Sequence, residues 1–398
     1  QAKAHVHCVI IGFSFNAEKQ RGGEAEKESP NLKNSQSPSS ESNNSATLRV
    51  CVKNTPTSLC VKKIFDGDKV IEAENINPYL MDGPTVFIEG RAKPLCNAVV
   101  MTKGNYPTDD GNFILTEEDR ESILSETPEL SSYIRRYVGA RDFINNDAVR
   151  YCLWLKDLSP AVFRKNREVM RRIEAVRDFR LKSSAAPTRK MAEQPWRFFS
   201  TPHKESNYLL LPEVSSERRN YIPIGFMSPS VIAANTCLIL PSATLYHFGV
   251  LTSSVHMAWM RVVAGRLKSD YRYSGAIVYN NFPWPDEGER GTGNGERRNS
   301  EKTPNLQNSQ SPSNESNHSE SLRQKIESTA QAILDARALY PDSSLADLYD
   351  PLTMPIELRK AHAANDVAIM KAYGLAPHTS EPEIVAHLFR LYSEKVSL

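Results

Sequence analysis

Apolar residues recur at two different spacings along this chain, and each spacing predicts a different kind of element. In residues 162–182 and 255–267 they return every three or four positions, as on a helix with one buried face. Short apolar runs, which are typical of buried strands, occupy residues 207–213, 221–227 and 236–250. After residue 321 the helical spacing continues almost to the end of the chain. We therefore predict an α+β fold followed by a helical C-terminal region.

The stretch from residue 251 to residue 285 contains the most local signals. Ser253 and Ser254 can cap the start of a helix by accepting from free backbone N–H groups. That helix is predicted to run past Gly265, and the next four apolar residues, 276–279, are predicted to form a buried strand. The helix face predicted to be buried consists of Val255, Trp259, Val262, Val263 and Leu267.

Three further signals mark the ends of elements. Thr116 with Asp119 three positions later is close to a capping box, which starts a helix. Residues 61–71 read as a hairpin around Gly67, because two alternating apolar arms flank an Asp-Gly-Asp turn. Gly374 is positioned to end a C-terminal helix.

Two polar segments interrupt this pattern, at residues 22–45 and 287–320. Both are rich in Ser, Asn, Gly and Glu and contain almost nothing to bury, so we expect them to be disordered. Residues 30–45 recur at 304–319 with 13 of 16 positions identical. Repeats this far apart cannot stack as neighbours, which excludes a solenoid and favours a duplicated insertion in surface loops.

Charge is distributed unevenly along the chain. Between Ser132 and Gly275 there are 23 Lys and Arg against 11 Asp and Glu, a balance of +12. The whole chain carries +2, so the flanking parts together carry −10. A basic middle part between acidic flanks indicates a polyanionic partner, although a solvated surface with chance clustering is the alternative.

The densest basic segment is the predicted helix Val162–Lys182. Its polar face is rich in Arg, whose guanidinium can bind phosphate oxygens or the guanine edge, so the helix is a candidate DNA contact. The alternative is a solvated face with pairs such as Glu168 with Arg172. A Pro- and Ser-punctuated loop with Arg189 and Arg197 follows. His256 lies beside Val255 on its helix, and we expect it to be packed or hydrogen-bonded.

Other chemistry is poorly supported by the sequence. His5 and His7 share one face of a predicted strand at 4–15, but no third metal ligand follows. The six cysteines form no CxxC pair, which argues against a zinc site or a disulfide framework and favours reduced thiols. No run of 18 apolar residues is present, so no membrane span is expected. We find neither a Gly-rich turn after a first strand nor clustered carboxylates with a Lys, as a nuclease would need.

Four blocks of this sequence resemble the MmeI-like, or type IIL restriction-modification, DNA methyltransferases. These blocks are INPYLMDGPTVFIEGRAKPLCN, TKGNYPTDDGNFILTEEDRE, SSVHMAWMRVVAGRLKSDYRYS with VYNNFPWP, and SSLADLYDPLTMPIELRKAHAANDVAIMKAYG. Amino-methyltransferases of this class use an Asn/Asp-Pro-Pro-aromatic motif. Asn77 in NPYL has a single Pro and lies in the family's linker, so we do not interpret it as catalytic.

The resemblance implies a domain order. Residues 1–75 would be the end of the methyltransferase domain and its α/β sheet, 76–286 a mixed α+β target-recognition domain, 287–320 an insert, and 321–398 a helical C-terminal domain. The catalytic motifs and any nuclease are expected upstream of Gln1, and the chain is expected to be a fragment of a longer cytoplasmic protein.

The resemblance also implies a function. Family members transfer a methyl group from S-adenosylmethionine to adenine N6, and this part would grip double-stranded DNA while binding no cofactor itself. A non-enzymatic DNA-binding specificity subunit and an inactive truncated remnant are the alternatives. The candidate DNA contacts are Arg164, Arg167, Arg171, Arg172, Arg177, Arg180, Arg189, Arg197, Arg261, Arg266, Lys268, Arg272 and Tyr273.

Overall fold

The computed structural model of this protein describes residues 62–66, 69–147, 149–285 and 313–397. The predictions for the strand at 4–15, for His5 and His7, for the insert at 22–45 and for residues 287–312 lie outside these ranges. None of the described helices combines the length and apolar content needed to cross a membrane.

Short strands dominate the first two thirds of the described chain. They are β1 (Lys62–Asp66), β2 (Lys69–Ala73), β3 (Thr102–Lys103), β4 (Ile114–Leu115), β5 (Ile134–Val138), β6 (Arg150–Leu153), β7 (Tyr208–Pro212), β8 (Val214–Ser215), β9 (Gly225–Met227), β10 (Val231–Ala233), β11 (Cys237–Pro241), β12 (Gly265–Leu267) and β13 (Asp270–Arg272). β1 and β2 pair antiparallel, which confirms the predicted hairpin.

Helices occur throughout the described chain, and three of the four from residue 313 onward are at least 17 residues long. The helices are α1 (Glu117–Glu126), α2 (Ala140–Asn145), α3 (Pro160–Phe163), α4 (Arg167–Leu181), α5 (Ala186–Lys190), α6 (Leu245–Leu251), α7 (Ser254–Val263), α8 (Ser313–Ala338), α9 (Leu345–Leu348), α10 (Ile356–Ala372) and α11 (Glu381–Ser397). The α+β class and the helical C-terminal region are as the sequence predicts.

Most of the described strands form small sheets of three or four strands. One sheet has the order β10-β5-β6-β4, with only β10 and β5 parallel, and packs with α1 and α4 around Phe113, Leu153 and Val169. The second has the order β3-β11-β7-β9, and the third the order β12-β13-β8. Leu209 and Leu240 of the second sheet share a core with α7, as the strand pattern predicts.

Local capping chemistry starts the helices where the sequence indicates. Thr116 Oγ1 accepts from the Asp119 N–H at 3.2 Å, and the Asp119 carboxylate accepts from the Thr116 N–H, so the capping box is confirmed. Ser253 Oγ accepts from the His256 N–H at 3.2 Å and caps α7. Gly374 follows α10 with φ +68°, a conformation that favours glycine.

Three predicted elements differ in the structure. The helix predicted over 162–182 is divided, because Asn166 caps α4 by accepting from the Val169 N–H at 3.0 Å. Residues 245–251 form α6 instead of a strand, and residues 275–279 form a π-helical turn in which the Asn280 N–H donates to the Gly275 carbonyl at 2.8 Å. α7 ends at Val263, so Gly265 lies in β12 and not inside a helix, and Leu267 is 52% exposed.

The C-terminal helices share the core of α6 and α7. Ile326 and Ile333 of α8 pack in one cluster with Phe248, and Asn365 of α10 donates to the Gly249 carbonyl at 2.8 Å. A Cβ on Gly249 would lie 2.9 Å from Ile326 Cγ2, so glycine permits this close approach. α8 begins at Ser313, within the segment 287–320 that was predicted to be an insert.

Candidate nucleic-acid interface

An exposed hairpin follows α7. β12 and β13 pair antiparallel, with Gly265 opposite Arg272 and Arg266 opposite Tyr271. All three residues of β12 are exposed, and Lys268 at the turn has φ +58°, in the left-handed region. The hairpin therefore presents two cations, Arg266 and Lys268, at its free end.

Arg266 is oriented by its neighbours. Its guanidinium carbon lies 3.8 Å from the centroid of the Tyr271 ring, and the guanidinium donates to the Ser269 carbonyl at 2.9 Å. Glu217 lies 3.8 Å away, and the Arg266 side chain is 44% exposed. The cation is thus held over an aromatic face while its outer edge can still reach a ligand.

The base of the hairpin holds an ion-pair cluster. Arg272 donates to Glu213 Oε1 from Nε at 3.2 Å and from Nη2 at 3.1 Å, and Lys103 Nζ lies 2.9 Å from Glu213 Oε2. The Glu213 side chain is 16% exposed, against 52% for Lys103 and 56% for Arg272. Two exposed cations around one covered carboxylate give this cluster a net positive charge.

An open groove of about 700 Å³ lies beside the cluster. Arg91, Lys103 and Arg272 line it together with Glu213, and so do apolar side chains that include Met101 and Ile277. Arg91 is fixed by the hydrogen bond from its Nε to Asn281 Oδ1 at 2.9 Å. The groove therefore combines three cations with an apolar wall.

Two arginines of α4 that were expected to contact DNA are directed inward. Arg180 is fully buried and donates to the backbone carbonyls of residues 107, 108, 191, 194 and 197 at 2.7–3.3 Å. Burial lowers its pKa to about 10, so it stays charged at neutral pH. Arg172 is 9% exposed and binds Glu168 at 2.7 Å, the pair considered as the alternative to DNA contact, and Asp119 at 2.9 Å.

The other arginines of this region remain at the surface. Arg171 donates to both oxygens of Glu168, at 2.6 and 2.8 Å, and with Arg172 it lowers the pKa of Glu168 to about 2. Arg164, Arg167 and Arg177 are exposed and have no side-chain hydrogen bond or ion pair within the described parts of the chain.

Two shallow depressions connect α4 with the loop that follows it. One, of about 350 Å³, is lined by Arg164, Arg177 and Trp196, and the other, of about 440 Å³, by Lys190 and Arg197. Glu193 lines both, so they adjoin. Arg189 donates to the carbonyls of residues 183 and 184, and Arg197 to Gln194 Oε1 at 3.0 Å. These cations form a second basic surface.

Two further candidates take part in internal contacts. Tyr273 is 2% exposed, and its hydroxyl lies 2.9 Å from His256 Nε2, so its ring is not available to stack on a base. His256 is fully buried, which confirms that it is packed and hydrogen-bonded, and burial lowers its pKa to about 3. Arg261 binds Glu381 at 2.7 Å and the Asn220 carbonyl at 2.9 Å, so it joins α7 to α11.

Sequence reasoning missed Arg91, Lys103 and Glu213. They lie 181, 169 and 59 positions, respectively, before Arg272 along the chain, so no local pattern connects them. One signal was available for Lys103, which stands in the TKGNY block that carries the resemblance. Among the described residues, no group of three His, Cys, Asp or Glu side chains is placed to hold a metal ion.

Comparison with known proteins gives consistent matches. The family model described as "MmeI, target recognition domain" matches residues 82–286, and the model described as "MmeI, C-terminal domain" matches residues 318–398. DNA methyltransferase A of Bacillus subtilis (strain 168) is 34% identical over 354 residues, which cover 88% of this chain and 36% of that protein.

A solved structure of the type IIL restriction-modification enzyme MmeI in complex with DNA is similar as well. It is 43% identical, superposes with a TM-score of 0.70, and the match covers 83% of this chain and 40% of that chain. This chain therefore spans well under half the length of these relatives. Because the target-recognition model alone covers residues 82–286 of the 398, this chain belongs to the MmeI family and contains its target recognition and C-terminal domains.

Proposed function

We propose that this chain binds double-stranded DNA as the target-recognition part of a site-specific adenine-N6 methyltransferase of a restriction-modification system. The observation that carries the proposal is the similarity of 83% of the chain, at 43% identity, to an MmeI structure in complex with DNA. The basic balance of the middle part of the chain supports it, since phosphate contacts supply most non-specific affinity. The site of action would be the cytoplasm, where bacterial DNA is accessible.

The proposed contacts fall on two surfaces. The hairpin surface comprises Arg266, Lys268 and Arg272. The α4–α5 surface comprises Arg164, Arg167, Arg171, Arg177, Arg189 and Arg197. Arg172, Arg180 and Tyr273 do not belong to the proposed set, because their side chains are buried. Arg261 is also omitted, since its side chain is only 23% exposed and is engaged by Glu381, whereas the ion-paired Arg171 and Arg272 are more than half exposed.

S-adenosylmethionine is implied as methyl donor for the intact enzyme, but the groove described above does not suit it. The methyl donor carries a positively charged sulfonium, and three cations line this groove. The carboxylate in the groove, Glu213, is already bound to Lys103 and Arg272. We infer that the donor pocket and the catalytic motif are supplied by polypeptide outside these 398 residues.

Salt-dependent binding tests the proposed DNA contact. We expect the double variant Arg266→Ala/Lys268→Ala to bind a fluorescein-labelled duplex at least about 10-fold more weakly at low salt, as two phosphate contacts are lost. The slope of log affinity against log salt should fall by about 2. Fluorescence anisotropy at several salt concentrations measures both quantities.

A matched double variant controls for the loss of charge. Lys360→Ala/Lys371→Ala removes two exposed cations from α10 and should leave affinity and slope near wild type. Equal effects of the two double variants would mean that binding depends on net charge alone, and the hairpin would then have no special place in the interface.

A further inference from the structure

The groove beside the hairpin has features that DNA contact through the hairpin tip does not use. Gly265 and Gly275 both line it, and neither has a positive φ, so backbone conformation does not require glycine at either position. A Cβ on Gly275 would meet only Met101, at 3.9–4.0 Å, and one on Gly265 only the Arg272 carbonyl at 4.0 Å. The absence of two side chains keeps this part of the groove open.

The polar groups of the groove suit an anionic ligand. Lys103 and Arg272 converge on Glu213, and a phosphate group offers the same kind of oxygen acceptors to both cations. Arg91 adds a third positive charge. Because the side chains of Lys103 and Arg272 are both more than half exposed, a ligand in the groove can reach them while they remain bound to Glu213.

The remaining surface of the groove suits a flat ring. Met101, Val263 and Ile277 provide apolar side chains, and a volume of about 700 Å³ exceeds what a single phosphate needs. Asn280 also lines the groove, and its Oδ1 has no hydrogen-bond donor within the described residues, while its Nδ2 donates to the Arg91 carbonyl at 2.7 Å. An amide oxygen without a donor can accept from the amino group of a base.

We propose that this groove binds one unstacked nucleotide, with its phosphate on Lys103 and Arg272 and its base against Met101 and Ile277. The nucleotide is either an extrahelical residue of the bound DNA or a free nucleoside monophosphate. The inference rests on the proposed DNA-binding function when DNA is the source. Unstacking a base costs a few kcal/mol, and the cost is smallest where the base is already unpaired.

Paired and bulged duplexes test the proposal separately from DNA binding itself. The full chain is titrated with a labelled duplex and with the same duplex carrying one unpaired adenosine. We expect wild type to bind the bulged duplex at least about 5-fold more tightly, because the unpaired base avoids most of the unstacking cost. The variant Ala276→Trp places a large ring at an exposed residue that lines the groove, and Gly275→Ala adds a methyl group there. Both variants should reduce the ratio of the affinities for the bulged and the paired duplex towards 1.

The control is Gly83→Ala. A Cβ there would make only ordinary contacts, with Asn77 Nδ2 at 3.7 Å and Ala386 Cβ at 3.9 Å, and Gly83 does not line the groove. This variant should keep the preference for the bulge. A melting temperature equal to that of wild type establishes that each of the three variants is folded.

Each outcome decides the matter. If wild type binds both duplexes equally, or if Ala276→Trp keeps the preference, a DNA nucleotide does not occupy the groove and the proposed function is unaffected. Isothermal titration with adenosine 5′-monophosphate then decides whether a free nucleotide occupies it. If wild type binds neither duplex, the proposed function fails. The same titration with adenosine 5′-monophosphate then decides whether the groove binds a nucleotide. Binding of the monophosphate that Ala276→Trp abolishes supports a free nucleotide, and its absence overturns the proposal.

Discussion

Arg180 illustrates how a single side chain can organise a surface without belonging to it. Its guanidinium joins the backbone of residues 107 and 108 to that of residues 191, 194 and 197. Residues 191–197 follow α5 and contain one of the basic depressions. The segment with Arg197 is therefore positioned by a buried cation that donates to backbone carbonyls on both sides.

We expect Arg180→Ala to destabilise the protein by about 3 kcal/mol or more, because buried carbonyls lose a charged donor and a cavity is left. Urea unfolding measures the change in the free energy of unfolding. Arg177→Ala, three positions away at an exposed site, should change it by less than about 0.5 kcal/mol. A similar small change for Arg180→Ala would contradict the structural role assigned to this residue.

The inward direction of the Arg180 side chain could partly be predicted from the sequence. Val169, Ile173 and Val176 form the buried face of α4, and a further four positions lead to residue 180 on the same face. An Arg at such a position needs internal partners. Two of those partners are backbone carbonyls from a segment more than 70 residues earlier, and the other three follow α5, so the sequence could not name them. Arg177, one position off the face, is exposed.

At the scale of elements, Asp366 joins α10 to the start of α7. Its Oδ1 accepts from the Ser254 N–H at 2.7 Å, and its Oδ2 accepts from the Tyr221 hydroxyl at 2.7 Å. The first N–H groups of a helix favour a negative charge. Burial nevertheless outweighs these contacts and raises the pKa of Asp366 to about 6.

The raised pKa of Asp366 determines whether its contribution to the free energy of unfolding grows or falls with pH. Since the folded pKa lies above the unfolded value, the contribution of Asp366 to stability is fully present below about pH 4 and is lost as pH rises through about 6. The loss amounts to roughly 2–3 kcal/mol. Urea unfolding at pH 4.5 and 7.5 should show a smaller difference for Asp366→Asn than for wild type.

Asp342→Asn, at an exposed turn, is the control and should keep the wild-type difference between the two pH values. If Asp366→Asn kept it as well, the carboxyl would not be the group responsible, and the contacts of Asp366 would have to be satisfied equally in both protonation states.

Elements whose signal is local were predictable, and elements defined by packing were not. The caps at Thr116 and Ser253 depend on residues within three positions, and both were predicted correctly. Residues 245–251 are apolar except for His247, so periodicity could not separate a strand from α6. In the structure α6 shares one core with residues of the β-sheet and of α8. The π-helical turn at 275–279 has no such local signature.

At the scale of the whole molecule, the target recognition domain and the helical C-terminal domain share one apolar core. Phe248 and Trp259 pack in the same cluster as Ile326 and Phe389, and Tyr373 donates to the Pro283 carbonyl at 2.8 Å. The family resemblance implied that the target-recognition and C-terminal domains follow one another along the chain, but it did not indicate how closely their cores are joined.

We expect residues 62–285, expressed without residues 313–397, to aggregate or to melt at a markedly lower temperature, because the apolar faces of α6 and α7 would be exposed. Differential scanning fluorimetry and size-exclusion chromatography measure this. Co-expression of residues 313–398 as a separate chain should restore solubility. A shorter protein as stable as the full chain would show that the shared core contributes little.

The contact between Gly249 and Ile326 has a consequence for shuffling among relatives. A donor segment with any larger residue at the position of Gly249 would collide with α8 from this chain. Recombination that exchanges only the segment containing Gly249 would therefore yield misfolded hybrids. Exchange of this segment together with α8 would preserve the fit. We therefore expect the segment containing Gly249 and α8 to be inherited together, because their contact requires a residue without a Cβ atom.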